Sequence, residues 1–130
     1  MAEIRFQRGE RPLSPHLQVY RLPLTAITSI LTRITGQGML PGLLLIVWWL
    51  VAAVTSPDAF ATADWALRSW LGSLVMIGTM WALFYHLLAG LRHLYYDSGR
   101  GMEIDTGRNL SIAVLVGSAI LTVLTLVVMA

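Results

Sequence analysis

Residues 70–99, WLGSLVMIGTMWALFYHLLAGLRHLYYDSG, decide the fold. From Trp70 to Leu91 the run carries no formal charge. Its length matches the roughly 20 residues an α-helix needs to cross a hydrocarbon core of roughly 30 Å. Two further uncharged runs share that length: Ile34–Val54 (ITGQGMLPGLLLIVWWLVAAV) and Leu110–Ala130 (LSIAVLVGSAILTVLTLVVMA). The 130-residue chain is 56% hydrophobic and only 12% charged, a composition that belongs to a bilayer rather than to a water-soluble globule. Lipid offers no partner to an unpaired backbone N–H or C=O, so the spans must be helices. The expected fold is therefore an all-α membrane protein with three transmembrane helices.

The arginines orient it. Arg5, Arg8, Arg11, Arg21 and Arg33 precede or open the first span, and Arg92, Arg100 and Arg108 lie between the second and third. The first loop has only Arg68. The bias expects a cytoplasmic N-terminus and an external C-terminus. Spread along interfacial segments, these cations form no dense track for a phosphate backbone, so nucleic acid is not an expected partner and the lipid bilayer is. With Glu3 and Glu10 and no apolar core before Leu22, the N-terminal stretch reads as neither a signal nor a transit peptide, and the chain reads as mature from its start. There is no cysteine, which excludes disulfides and Cys-ligated iron–sulfur clusters within the chain.

One membrane-anchor domain, 1–130, divides into a cytoplasmic N-terminal segment (1–22), helix I (23–54), helix II (69–98) and helix III (109–130). Pro23 suits the first turn of a helix, and Ser29 and Arg33 then stand one turn apart on one face. Pro41 frees the Gln37 carbonyl, which predicts a kink there. Gly38 and Gly42 have the spacing that lets helices approach closely. The first loop is read as short and external, without chemistry, with Trp65 and Trp70 in an aromatic belt. Gly99 is the expected stop of helix II, and Gly117, Ser118 and Ala119 are a packing surface on helix III.

His86 sits inside the second span, where an ionisable side chain is a functional hypothesis by default. The plain alternative is a hydrogen bond to a neighbouring helix. Imidazole is a good axial ligand for haem, and helix bundles build cofactor sites from facing side chains. His93 follows seven residues later on nearly the same face, about 10 Å along the axis, so the two cannot clasp one iron from opposite sides. His16 lies outside the spans, among prolines, and makes a poor buried ligand. Any second histidine on the iron comes from another polypeptide. With Arg33 near the cytoplasmic boundary, a haem on His86 could direct its propionates toward Arg33 and His93. Snorkelling for Arg33 and a pair with Asp97 for His93 are the ordinary alternatives.

Two blocks give the sequence a familiar look: RPLSPHLQVYRLPLTAITSILTRITG (residues 11–36) and HLLAGLRHLYYDSG (residues 86–99). The second carries His-x-x-x-Gly-x-Arg-His followed by Asp-x-Gly without a gap. Together they resemble the cytochrome b subunit of succinate dehydrogenase, the large membrane anchor of respiratory complex II. The resemblance implies a haem b held by His86, with the opposite ligand from a small membrane-anchor subunit. It implies a ubiquinone site lined by Ser29 and Arg33. It implies a flavoprotein subunit with FAD and an iron–sulfur subunit with the clusters, so no residue of this chain is catalytic for succinate oxidation itself. The setting it implies is a bacterial inner membrane, with the anchors packed into one haem-binding bundle. Thr32 stands where the family usually has histidine, and its hydroxyl cannot carry a proton charge near neutral pH. The alternatives are an anchor of a quinol:fumarate reductase and a haem-free structural anchor.

Overall fold

The computed structural model describes residues 20–129, so His16 and the N-terminal segment before Tyr20 lie outside the described residues. Five helices follow in order: α1 (Leu24–Gly38), α2 (Leu40–Thr55), α3 (Pro57–Arg68), α4 (Trp70–Asp97) and α5 (Ile104–Met129). Three stretches are long and apolar enough to cross a membrane: Leu24–Thr55, Trp70–Asp97 and Ile104–Met129.

The first of these is α1 and α2 joined at Met39. Pro41 has no N–H, so the α-helical ladder loses a rung at this point. Met39 nevertheless keeps helical dihedrals (φ −74°, ψ −21°). Its N–H donates to the Thr35 carbonyl and its carbonyl accepts from Leu43, so helical hydrogen bonding continues across the junction. Beyond the junction, Gly42 lies so close to α4 that a Cβ would overlap the Thr79 side chain. Gly38, its partner in the small-residue spacing, faces open space.

The segment between the first two spans is not the featureless loop expected of it. Ser56 accepts from the Ala59 N–H at 3.2 Å, Pro57 occupies the first helical position, Asp58 lies in the first turn and Arg68 in the last. Those are the signals of a capped helix whose end charges complement its dipole. The resulting α3 is tied to the first span by Trp49, whose Nε1 donates to Asp64 Oδ1 at 3.4 Å and whose ring meets Phe60 at 5.3 Å. Arg68 closes on the other oxygen of Asp64 at 2.6 Å. Ser69 then caps α4 by accepting from the Gly72 N–H at 3.1 Å. Trp65 and Trp70 remain largely exposed.

Helix α4 ends at Gly99, whose φ of +77° is readily adopted only by glycine. The helical backbone of α5 begins at Ile104, ahead of the apolar run, with Asp105 in its first turn. The core lies where α4 meets α5 and α1: Tyr85, Ala89 and Val114 are buried, with Leu31, Trp81, Leu88 and Leu115 around them. Large apolar side chains otherwise point outward, while Thr28, Thr35, Ser111, Ser118 and Thr122 are buried. This suits lipid, where small side chains let helices approach and hydroxyls can return to their own helix. Ser111, Ser118 and Thr122 do so, donating to Gly107, Leu115 and Ser118 carbonyls at 2.8–2.9 Å.

Candidate functional site

His86 faces α1. Its Nδ1 lies 3.1 Å from the carbonyl oxygen of Thr32. A carbonyl only accepts, so Nδ1 carries the hydrogen and the lone pair of the neutral ring is on Nε2. The ring fits because Gly36 is bare: a Cβ there would stand 3.1 Å from His86 Cε1. Nε2 makes no hydrogen bond among the described residues and is not sealed within the chain. One turn on, Gly90 has no contact from another element of the described residues within 4 Å of where its Cβ would be. The structure therefore offers a tautomer suited to metal ligation, an open nitrogen, and a helix face beside it kept free of side-chain bulk.

Ser29, Arg33 and Gly36, spaced by four and three residues, form one stripe of α1. Gly36 on that stripe touches His86, so Ser29 and Arg33 border the same side of the α1–α4 pair. Ser29 is half-buried and Arg33 exposed, and neither makes a side-chain hydrogen bond among the described residues. The depth expected of Arg33 needs correction. His86 touches both Thr32 and Gly36, which bracket Arg33, so the Arg33 backbone is level with His86 rather than nearer the helix end. The Thr32 hydroxyl is spent inside α1, donating to the Thr28 carbonyl at 2.8 Å. Its contribution to the site is its carbonyl. His93 is exposed, with Tyr96 edge-on at 6.4 Å. It does not pair with Asp97: among the described residues the ion pair present is Arg68–Asp64.

A second polar cluster was not singled out by the sequence. Arg92 is only 5% exposed. Its Nη1 donates to Thr28 Oγ1 at 2.8 Å and to Ser111 Oγ at 3.1 Å, and its guanidinium stands 5.9 Å from the Tyr96 ring centroid. Its Nε is buried without a partner. Tyr85, fully buried, donates to the Thr28 carbonyl at 2.8 Å. Arg92 and Tyr85 lie seven apart on one face of α4, which is the only sequence signal for their meeting.

No cluster of three or more His, Asp or Glu side chains that could hold a bare metal ion occurs among the described residues. An iron cofactor held by single side chains needs no such cluster, and His86 could supply one such side chain. A family model for the succinate dehydrogenase/fumarate reductase transmembrane subunit matches residues 7–125.

The chain belongs to that family.

Its similarity to named members is extensive. A succinate dehydrogenase cytochrome b556 subunit of Paracoccus denitrificans is 65% identical over 128 residues, covering 98% of this chain and 97% of the relative. A cytochrome b556 subunit of Rickettsia conorii is 34% identical, covering 89% of this chain and 90% of the relative. A succinate dehydrogenase cytochrome b560 subunit of Reclinomonas americana is 40% identical over 73% of this chain and 69% of its own length. The family read from residues 11–36 and 86–99 is thus the family found.

Proposed function

We propose that this chain is the cytochrome b membrane anchor of a succinate:ubiquinone oxidoreductase, complex II, in a bacterial inner membrane. Its N-terminus and the loop after α4 face the cytoplasm and its C-terminus faces outward, following the eight-to-one arginine bias. A flavoprotein subunit carrying FAD and an iron–sulfur subunit dock on the cytoplasmic side. A small anchor subunit covers the side of the α1–α4 pair where Gly90 and Nε2 of His86 are open.

One observation supports this reading beyond family membership: the Thr32 carbonyl accepts from His86 Nδ1, which leaves the Nε2 lone pair free to ligate. Such a bond orients the ring and raises its basicity toward a metal. His86 Nε2 would hold the iron of haem b, with the opposite ligand from the small anchor. When bound, haem b supplies a one-electron carrier inside the bundle. Arg33, level with His86, and His93 are the side-chain donors available to propionates.

Ser29 and Arg33 hold ubiquinone, the substrate of the membrane domain. Ubiquinone takes up two electrons delivered by the partner clusters and two protons from the cytoplasmic side. Arg33 stabilises the negative charge that grows on the quinone oxygen, and Ser29 donates a hydrogen bond to it. Thr32 offers no group that carries a proton charge near neutral pH, and its hydroxyl donates to the Thr28 carbonyl at 2.8 Å.

The test is an absorption and EPR spectrum of the assembled complex with and without His86→Ala. The expected result is a reduced b-type band and a low-spin ferric signal that both vanish with the imidazole. A low-spin signal unchanged by the substitution would overturn the ligand assignment, and a wild-type complex without any b-type band would leave a haem-free anchor as the better reading.

A further inference from the structure

The polar side chains of α4 grip α1 at two neighbouring turns. Tyr85 donates to the Thr28 carbonyl at 2.8 Å, and its chain neighbour His86 bonds the Thr32 carbonyl at 3.1 Å. Thr28 is held a second time through its hydroxyl, which receives Arg92 Nη1 at 2.8 Å and lies 3.2 Å from Ser111 Oγ on α5. Thr28 itself is fully buried, so neither of its polar groups has water as an alternative partner. The residues following the two gripped positions are Ser29 and, after Thr32, Arg33.

An apolar helix interface has little to choose between neighbouring registers, since any Leu surface is as acceptable in lipid as another. Directional bonds to particular backbone and side-chain atoms do distinguish them. A slip of α1 by one residue along its axis, about 1.5 Å, would break the Tyr85 and Arg92 bonds together. It would also carry Ser29 and Arg33 the same distance past His86.

We infer that Tyr85 and Arg92 are positioning residues: by holding Thr28 they set where Ser29 and Arg33 stand relative to His86. The inference rests on the assignment of Ser29 and Arg33 to the quinone. Neither Tyr85 nor Arg92 touches the substrate; both act through Thr28. Misplacement of binding groups by about an ångström can cost on the order of a hundredfold in rate, and the looser constraint left by one lost hydrogen bond is expected to cost on the order of tenfold.

Tyr85→Phe removes the hydroxyl that reaches the carbonyl, and Thr28→Val removes the hydroxyl that receives Arg92. Each is measured in the whole complex, per reduced b-type haem, with succinate-to-soluble-dye turnover as the reference for the partner subunits. The expected result is a KM for a short-chain ubiquinone raised on the order of tenfold, with the dye reaction unchanged and haem content retained. Ubiquinone kinetics unaltered in either assembled variant would overturn the inference. So would failure of both variants to assemble, since the cluster would then serve the fold rather than the site. Arg33→Leu separates this from the underlying assignment: if it leaves quinone kinetics unchanged, the quinone site itself is misplaced, whereas a strong Arg33 effect beside silent Tyr85 and Thr28 variants refutes only the positioning role.

Discussion

Helix α4 carries two polar faces, and they are completed in opposite ways. On one, Arg92 and Tyr85 are buried and bonded to α1 and α5 by atoms this chain supplies itself. On the other, His86 has one nitrogen satisfied and the other open, Gly90 faces empty space, and His93 is exposed. A charge buried in a bundle is tolerable only when hydrogen-bonded, and the Arg92 face meets that condition within the chain apart from its Nε. The His86 face would be an unfinished membrane surface if the chain stood alone. The lesson is that one face is completed by the chain itself, while the other is the face on which the proposed cofactor and neighbour would sit.

The largest way to break this contrast, after removal of the His86 ring, is Gly90→Leu. A Cβ there meets nothing from another element among the described residues. The chain should keep its own helices, by circular dichroism in detergent, yet lose haem and fail to co-purify with the small anchor. Full haem occupancy in Gly90→Leu would mean that the open face is lipid-facing and not a cofactor wall. A bulky residue at Gly42 is the counterpart, because it meets Thr79 of the same chain and should disturb the α2–α4 contact whether partners are present or not.

A subtler probe is Gly36→Ala. The added methyl would sit 3.1 Å from His86 Cε1, so the ring must yield by a few tenths of an ångström. The expected outcome is retained haem with a shifted low-spin EPR signal, because ring orientation relative to the iron changes while the ligand does not. An unchanged signal would argue that the imidazole is held by something other than the α1 backbone.

Much of this was legible in the sequence, and the limits have physical causes. Three uncharged runs announce three spans because lipid imposes length and apolarity on each helix separately. His86 stands out because an imidazole in such a run demands a reason. Helix α3 was also written in Ser56-Pro57-Asp58 and Arg68, but a capped amphipathic helix beside two long apolar ones is easily passed over as a loop. Arg92 and Arg33 could not be sorted. Both are arginines flanking uncharged runs of the sequence, and which one is swallowed depends on the register between α1 and α4. Register is a property of pairs of helices. Tyr85, Thr28 and Ser111 are silent for the same reason: each is an ordinary residue until the other two are beside it.

Two serines give the smallest and most discriminating comparison. Ser111 is fully buried, accepts from Arg92 at 3.1 Å and donates to the Gly107 carbonyl at 2.8 Å. Ser29 is half-buried and makes no side-chain hydrogen bond among the described residues. Ser111→Ala removes one of two hydroxyls on a buried cation, a loss of about 1.5–3 kcal/mol. Arg92 keeps Thr28, so the position of α1 is preserved and quinone kinetics should stay as they were while thermal stability falls. Ser29→Ala breaks no side-chain hydrogen bond among the described residues, so stability should hold. Loss of a single neutral hydrogen bond to the quinone, about 1 kcal/mol, corresponds to roughly a fivefold rise in KM. The two variants should therefore move opposite observables, melting for Ser111 and quinone affinity for Ser29. If both instead lowered stability and left affinity alone, Ser29 would belong to the packed face and the division of α4 into a finished and an unfinished side would not hold.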